Sequence, residues 1–205
     1  MIDHPHMQKI ALASASPRRR ELLAQLAVNF ELVKAEVDET QLPGEIATDY
    51  VLRLAISKAR AGFQVQTQTA TEVLPVLGAD TIVVVDGEVL GKPTDQADFL
   101  RMMRLLSGRQ HQVYTAIALV SGDLVNGELV TGERVLSDTV KTEVWFSALT
   151  EAQMLDYWRS GEPADKAGGY GIQGLASRFI PKIAGSYFAV VGLPLYETDQ
   201  LLQQL

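Results

Sequence analysis

Cysteine is absent from the 205 residues, which removes disulfide staples, thiolate metal sites and a cysteine nucleophile together. Histidine is scarce, with three in the chain and no HExxH pair, so zinc catalysis has no support. Positive charge is in deficit: 18 Lys+Arg against 25 Asp+Glu leave a net charge of −7. Neither nucleic acid nor an anionic membrane surface attracts such a chain, so neither is expected as a partner. Long apolar runs are missing too. Thr81–Val85 and Ala116–Val120 are strand-sized, far short of the roughly 18 residues that cross a bilayer. The N-terminal MIDHPHMQKIALASAS resembles a signal peptide only faintly. Its apolar patch, Ile10–Ala13, is too short, and acidic Asp3 stands where a basic region belongs. The expectation is a cytoplasmic protein.

What is present is an ordinary folding composition, 47% hydrophobic and 21% charged. At roughly 150 residues per domain the length suits one α/β domain, or two small lobes sharing a core. No repeat, low-complexity tract or linker rich in Pro, Gly or Ser divides it. Lys9–Ala13 reads as a buried strand, and Ser16 with Pro17 opens a helix to about Leu26 carrying a Leu22, Leu23, Leu26 stripe. Phe30–Val33 reads as a strand. Thr48 or Asp49 caps a helix that places Val51, Leu54, Ala55 and Lys58 on one face and stops near Gly62. Polar Gln64–Glu72 then reads as a surface loop. The apolar segment Val73–Val85 turns at Asp86-Gly87 into Glu88–Leu90, a hairpin signature.

A helix from Thr94 to Ser107-Gly108 precedes two long strands, Gln112–Val120 and Glu133–Phe146, with a turn near Asn126-Gly127 between them. Thr150 and Gln153 form a capping box for a helix to Arg159. Gly161–Gly174 is irregular; strands at Phe179–Ile183 and Tyr187–Val191 and a helix at Glu197–Leu205 are expected after it. Alternation early and hairpins later predict a mixed sheet with helices on both sides.

Four constellations bear on chemistry. In Ser14-Ala-Ser-Pro-Arg18-Arg19-Arg20, three arginines crowd the positive end of a helix, which is unfavourable unless an anion binds there. Backbone N–H groups, serine hydroxyls and guanidinium forks suit phosphate; solvated surface arginines fit the pattern equally. Asp80, among apolar strand residues, must be paired, metal-bound or shifted in pKa. It reads as a general base or hard-cation ligand, or as a carboxylate that ends a strand on a turn. Lys58, Lys92 and Lys166 either snorkel into water or, with Arg18 and Arg19, face a polyanion. Gly168-Gly-Tyr-Gly-Ile-Gln-Gly174 matches neither Rossmann nor P-loop spacing. It is a tight turn or a close approach to a ligand, with Gln173 suited to a base edge. His4 and His6 read as terminus, His111 as a structural strand residue.

Six segments taken together resemble the Maf family: Ala13-Ser-Ala-Ser-Pro-Arg-Arg19, Gly78-Ala-Asp-Thr-Ile-Val83, Gly91-Lys-Pro93, Leu106-Ser-Gly-Arg-Gln-His-Gln-Val113, Asp165-Lys-Ala-Gly-Gly-Tyr-Gly-Ile-Gln-Gly174 and Val191-Gly-Leu-Pro-Leu195. They occur in order over nearly the whole chain. The resemblance implies one Maf-like domain over residues 1–205, with an elongated mixed sheet, two lobes and a deep cleft like the inosine triphosphate pyrophosphatases. It implies hydrolysis of a nucleoside triphosphate to monophosphate and pyrophosphate with Mg²⁺ or Mn²⁺, and a homodimer.

Carried over residue by residue, Asp80 falls on the catalytic acid that activates water. Glu39 and Asp80 fall on metal-holding positions. Ser14, Arg18, Arg19, Lys58 and Lys92 fall on phosphate-handling positions, and Lys166 and Gln173 in the substrate loop. Thr81, Gln173 and Arg18 resemble the branch acting on dTTP and UTP. The alternatives are the sister branch acting on 7-methyl-GTP, a nucleotide-binding regulator of septum formation with little turnover, and a nucleotidyltransferase. Ala189 departs from the family pattern, where asparagine is common.

Overall fold

The computed structural model describes residues 8–34, 36–69, 73–122, 124–125, 128–129 and 132–205. Strand β1 (Ile10–Ala13), wholly buried, leads into helix α1 (Pro17–Gln25), and β2 (Phe30–Leu32) follows. Ser16 caps α1 with extended backbone and accepts from the Arg19 N–H, while Pro17 takes the first turn, where its missing N–H costs nothing. Helix α2 (Ala47–Thr69) is followed by β3 (Val76–Val85), the Asp86-Gly87 turn and β4 (Glu88–Leu90). Asp86 at φ 51° and Gly87 at φ 82° give the left-handed pair that a tight hairpin requires. Helix α3 (Gln96–Leu106) precedes β5 (Gln110–Ser121). The strands β6 (Leu124–Val125) and β7 (Glu128–Leu129) pair with each other; the Asn126-Gly127 turn expected between them lies outside the described residues. β8 (Arg134–Trp145), α4 (Glu151–Arg159), three 3-10 turns between Glu162 and Phe179, β9 (Lys182–Ala184), α5 (Tyr187–Val191) and α6 (Leu195–Leu202) complete the chain.

Seven strands form one mixed sheet flanked by helices, in the order β2-β1-β3-β5-β8-β9 with β4 on β3. β1 runs parallel to β2 and β3, whereas β3–β4 and β8–β9 are antiparallel. Contacts divide the chain into two units. The first contains Met1–Asp80, Ala116–Thr139 and Gly192–Leu205; the second contains Thr81–Thr115 and Val140–Val191. In the first, β1 packs on α2, whose Val51, Leu54, Ala55 and Ala59 are buried, and Gly78 of β3 lies against Ala55 and Ala59. In the second, Phe99, Met103, Leu106, Tyr157, Tyr170 and Phe179 build an aromatic-rich core.

Expectations in three segments are corrected. The segment Gln64–Glu72 is not a loop as far as it is described: α2 continues through Gly62 to Thr69. A Cβ at residue 62 would lie 2.9 Å from Val33 and Val76 methyls and 3.0 Å from the Ala13 Cβ. Gly62 is therefore a packing glycine inside a helix, not a left-handed stop. Buried Gln66 then fastens this extension by exchanging hydrogen bonds with the backbone N–H and C=O of Leu74, both 3.2 Å. α2 also starts at Ala47, with Asp49 inside its first turn rather than before it. Second, Tyr187–Val191 is helical, opened by the Ser186 hydroxyl, which accepts from the Ala189 N–H at 3.2 Å. Third, the strand expected at Phe179–Ile183 is shorter and starts later: Phe179 ends a 3-10 turn (Leu175–Phe179), and β9 (Lys182–Ala184) carries the strand.

Candidate active site

Within the first unit, β1 and Gly78 of β3 lie against α2. Gly78 of β3 lies so close to α2 that a Cβ there would sit 2.5 Å from the Ala55 carbonyl oxygen and 2.6 Å from the Ala59 nitrogen. Only glycine fits against immovable backbone. Alternation along the strand puts Asp80 on the same face as Gly78, while Lys58 lies between Ala55 and Ala59 on the helix. Asp80 Oδ1 accepts a hydrogen bond from Lys58 Nζ at 2.6 Å. Both side chains are largely shielded from water, at 11% and 15% exposure. A buried carboxylate and a buried ammonium thus answer each other, which resolves the cost that either would carry alone.

Lys58 Nζ also lies 2.7 Å from Glu39 Oε1, so two carboxylates from separate segments meet on one ammonium. The segment bearing Glu39 is strapped to α2. Tyr50 donates to the Glu39 carbonyl at 2.7 Å, and Arg53 Nη2 donates to the Thr40 carbonyl at 3.0 Å. Arg53 also grips both oxygens of Glu45, at 2.6 and 2.8 Å, and Glu45 accepts from the Leu42 N–H at 3.0 Å. The Arg53 hydrogen bonds hold the Glu45 carboxyl down at about 2. Burial raises the Tyr50 phenol, with the Asp80 and Glu39 charges adding to it.

From α1, Arg19 Nε donates to the Gly192 carbonyl at 2.8 Å. Burial pushes the Arg19 guanidinium below its ordinary value; Asp80 opposes this, Arg18 reinforces it and Glu39 opposes it. It remains a cation at any pH the protein meets. The Ser14 hydroxyl accepts from the Ser16 N–H at 3.2 Å. Arginines fill the first turn of α1 with no acidic residue there to offset the dipole. Ser14, Arg18, Arg19, Lys58, Glu39 and Asp80 all belong to this unit.

In the second unit the Thr81 and Thr115 hydroxyls are 2.9 Å apart, and Thr115 donates to the Ala189 carbonyl at 2.7 Å. Ala189 is fully buried, so its part here is a main-chain one. Lys92 is exposed between β4 and α3. Lys166 Nζ donates to the Glu162 carbonyl and to Asp165, both at 2.6 Å. Gln173 is exposed in the turn between Gly171 and Leu175. Tyr50, the Arg53–Glu45 clasp and Glu162 were not legible in the sequence. Tyr50 and Glu39, Arg53 and Glu45, and Glu162 and Leu175 are 8 to 13 residues apart across turns, where no helix or strand periodicity speaks.

Asp80 and Glu39 offer hard oxygen donors that already converge on one cation, Lys58 Nζ. Mg²⁺ characteristically takes one or two carboxylates and completes its shell with water and substrate phosphates, so this pair fits such an ion. Among the described residues no group of three or more acidic or histidine side chains could hold a metal without the substrate.

Asp80, shielded from water and hydrogen-bonded to Lys58, and the arginine-bearing start of α1 thus belong to one unit of an α/β protein. The match to the family model described as Maf-like protein covers residues 9–205, and the chain belongs to that family. It is 50% identical over 198 residues to a Vibrio vulnificus protein named dTTP/UTP pyrophosphatase, covering 97% of this chain and 99% of that one. A Pseudoalteromonas translucida protein of the same name is 52% identical over 194 residues, 95% of each chain. A solved structure, the Staphylococcus aureus Ham1 protein, matches 67% of this chain and 72% of its own at 17% identity and TM-score 0.39.

Proposed function

We propose that this chain hydrolyses nucleoside triphosphates, dTTP and UTP foremost, to the monophosphate and pyrophosphate. The observation that carries the reading is Asp80, shielded from water and held by Lys58 on the unit that also carries Glu39, Arg18 and Arg19. The names of relatives about 50% identical over nearly full length supply the substrate. Lys58 orients Asp80 through Oδ1, and the other carboxylate oxygen takes the proton of a water that attacks the α-phosphorus. The α–β anhydride bond breaks and pyrophosphate leaves. Asp80 and Glu39 would hold a divalent cation, Mg²⁺ or Mn²⁺, whose charge offsets that of the phosphates in the transition state.

Ser14, Arg18, Arg19, Lys58 and Lys92 are read as phosphate contacts, and Thr81, Lys166 and Gln173 as contacts that select the nucleotide. Positioning and charge neutralisation then supply most of the rate. On this reading the protein works as one domain in the cytoplasm, removing excess or non-standard pyrimidine triphosphates, and the family resemblance supports a homodimer. The test is Asp80→Asn, a near-isosteric change. Turnover should fall about 10²–10⁴-fold, the usual worth of a positioned base, with nucleotide binding retained by calorimetry. Hydrolysis at the wild-type rate overturns the role given to Asp80.

A further inference from the structure

Glu162 precedes the substrate loop in sequence and was assigned no role from it, yet every polar group it owns is engaged. Its N–H donates to the Ser160 hydroxyl at 3.2 Å, and its carbonyl accepts from Lys166 Nζ at 2.6 Å. Oε1 accepts from the Tyr157 hydroxyl at 2.8 Å, and Oε2 from the Leu175 N–H at 2.8 Å. The Tyr157 hydroxyl in turn accepts from the Gly171 N–H at 3.2 Å. One carboxylate, directly and through one phenol, therefore ties down both ends of the turn 171–175, which displays Gln173.

The two glycines of that turn are shaped to the same anchor. A Cβ at residue 174 would collide with the Glu162 carboxylate, and one at residue 171 would lie 2.8 Å from Lys166 Cε. Tyr157 is itself fixed, fully buried and packed edge-on against Phe179 with centroids 5.6 Å apart. Gln173 is thus an exposed amide on a turn whose ends have no freedom. Such an arrangement suits reading a ligand's edge, because a recognition group held rigidly discriminates better than a mobile one.

We infer that Glu162 is a positioning residue for nucleotide selectivity: it holds the 171–175 turn so that Gln173 presents its amide to the base. The inference rests on the pyrophosphatase reading above and deepens it. The experiment is pyrophosphate release by wild type, Glu162→Ala and Glu162→Gln from dTTP, UTP, CTP and GTP, with melting curves for each protein. Wild type should prefer dTTP and UTP, and Glu162→Ala should erode that preference about 10- to 100-fold, the scale expected of a misplaced contact. Glu162→Gln, whose amide oxygen still accepts from Leu175 and whose NH₂ can face the Tyr157 oxygen, should restore most of it. Should Glu162→Ala fail to fold, Tyr157→Phe keeps the core ring, frees Oε1 and Gly171, and should erode the same ratio. A uniform loss across the four nucleotides, with selectivity intact in the folded variants, overturns the inference. No release by wild type from any nucleotide overturns the pyrophosphatase reading instead, so the two failures are distinct.

Discussion

Single side chains set the chemistry, and His111 is a buried one outside the acid cluster. It is 2% exposed on β5, its Nε2 lies 2.7 Å from the Tyr170 hydroxyl, and its Nδ1 has no hydrogen-bond partner among the described residues. Burial depresses its pKa from 6.5 to about 4, so the fold holds it neutral while the unfolded chain protonates it at higher pH. Its contribution to stability is complete above about pH 6.5 and declines as pH falls toward about 4, a loss of order 3 kcal/mol. Urea midpoints measured across that window should fall with pH in wild type and flatten in His111→Gln; parallel slopes would contradict the assignment. A second residue-scale expectation concerns Lys58. Lys58→Ala leaves Asp80 and Glu39 without their shared cation, and the buried Asp80 charge should cost roughly 3–5 kcal/mol of stability, read by denaturant titration. At this scale the sequence was informative where a residue contradicts its surroundings. Asp80 amid apolar neighbours and Lys58 on an apolar face are both in the acid cluster, whereas Arg53 and Glu162 sit among ordinary polar neighbours and gave no such signal.

Elements followed the sequence at three chemically marked ends. α1 begins at Ser16-Pro17, α4 carries the Thr150–Gln153 capping box with both reciprocal bonds, and the Asp86-Gly87 hairpin has its left-handed pair. They departed from it where glycine serves packing. Gly62 reads locally as a stop, but its reason is the Ala13, Val33 and Val76 side chains, which no local window contains. The expectation for Gly62→Ala follows from competition. Alanine gains about 1 kcal/mol of helix propensity, and overpacking against the two valines costs about 1–3 kcal/mol. Flexible methyls yield in part, so the melting temperature should drop modestly. Gly78→Ala meets backbone instead and should be the more damaging, reducing both stability and turnover because β3 carries Asp80 two residues on. A Gly78→Ala protein as stable as wild type would contradict the close approach. Tyr187–Val191 misled for a different reason. An apolar run of five residues has no period long enough to separate strand from helix, and the Ser186 cap decides it.

Over the whole molecule, a net charge of −7 coexists with three arginines in the first turn of α1. On the proposed reading the general field repels polyanions while these cations attract them, which favours a small nucleotide over a nucleic acid. The mixed seven-stranded sheet flanked by helices was legible from the alternation of elements, because strand and helix periods differ over windows of ten residues. Two lobes were expected from the length and the family resemblance, but the places where the chain passes between units were not legible. β3, β5 and β8 each pass from one unit to the other within a single strand, so no linker marks the boundary. The central claim is cleavage between the α- and β-phosphates. Its most direct measurement is release of pyrophosphate and orthophosphate, counted in parallel, from dTTP, UTP, GTP, ATP, methylated GTP and 5-methyl-UTP with Mg²⁺. Pyrophosphate from dTTP and UTP, without orthophosphate, is the predicted result. Orthophosphate alone, or binding of nucleotide with no release from any of them, would contradict it.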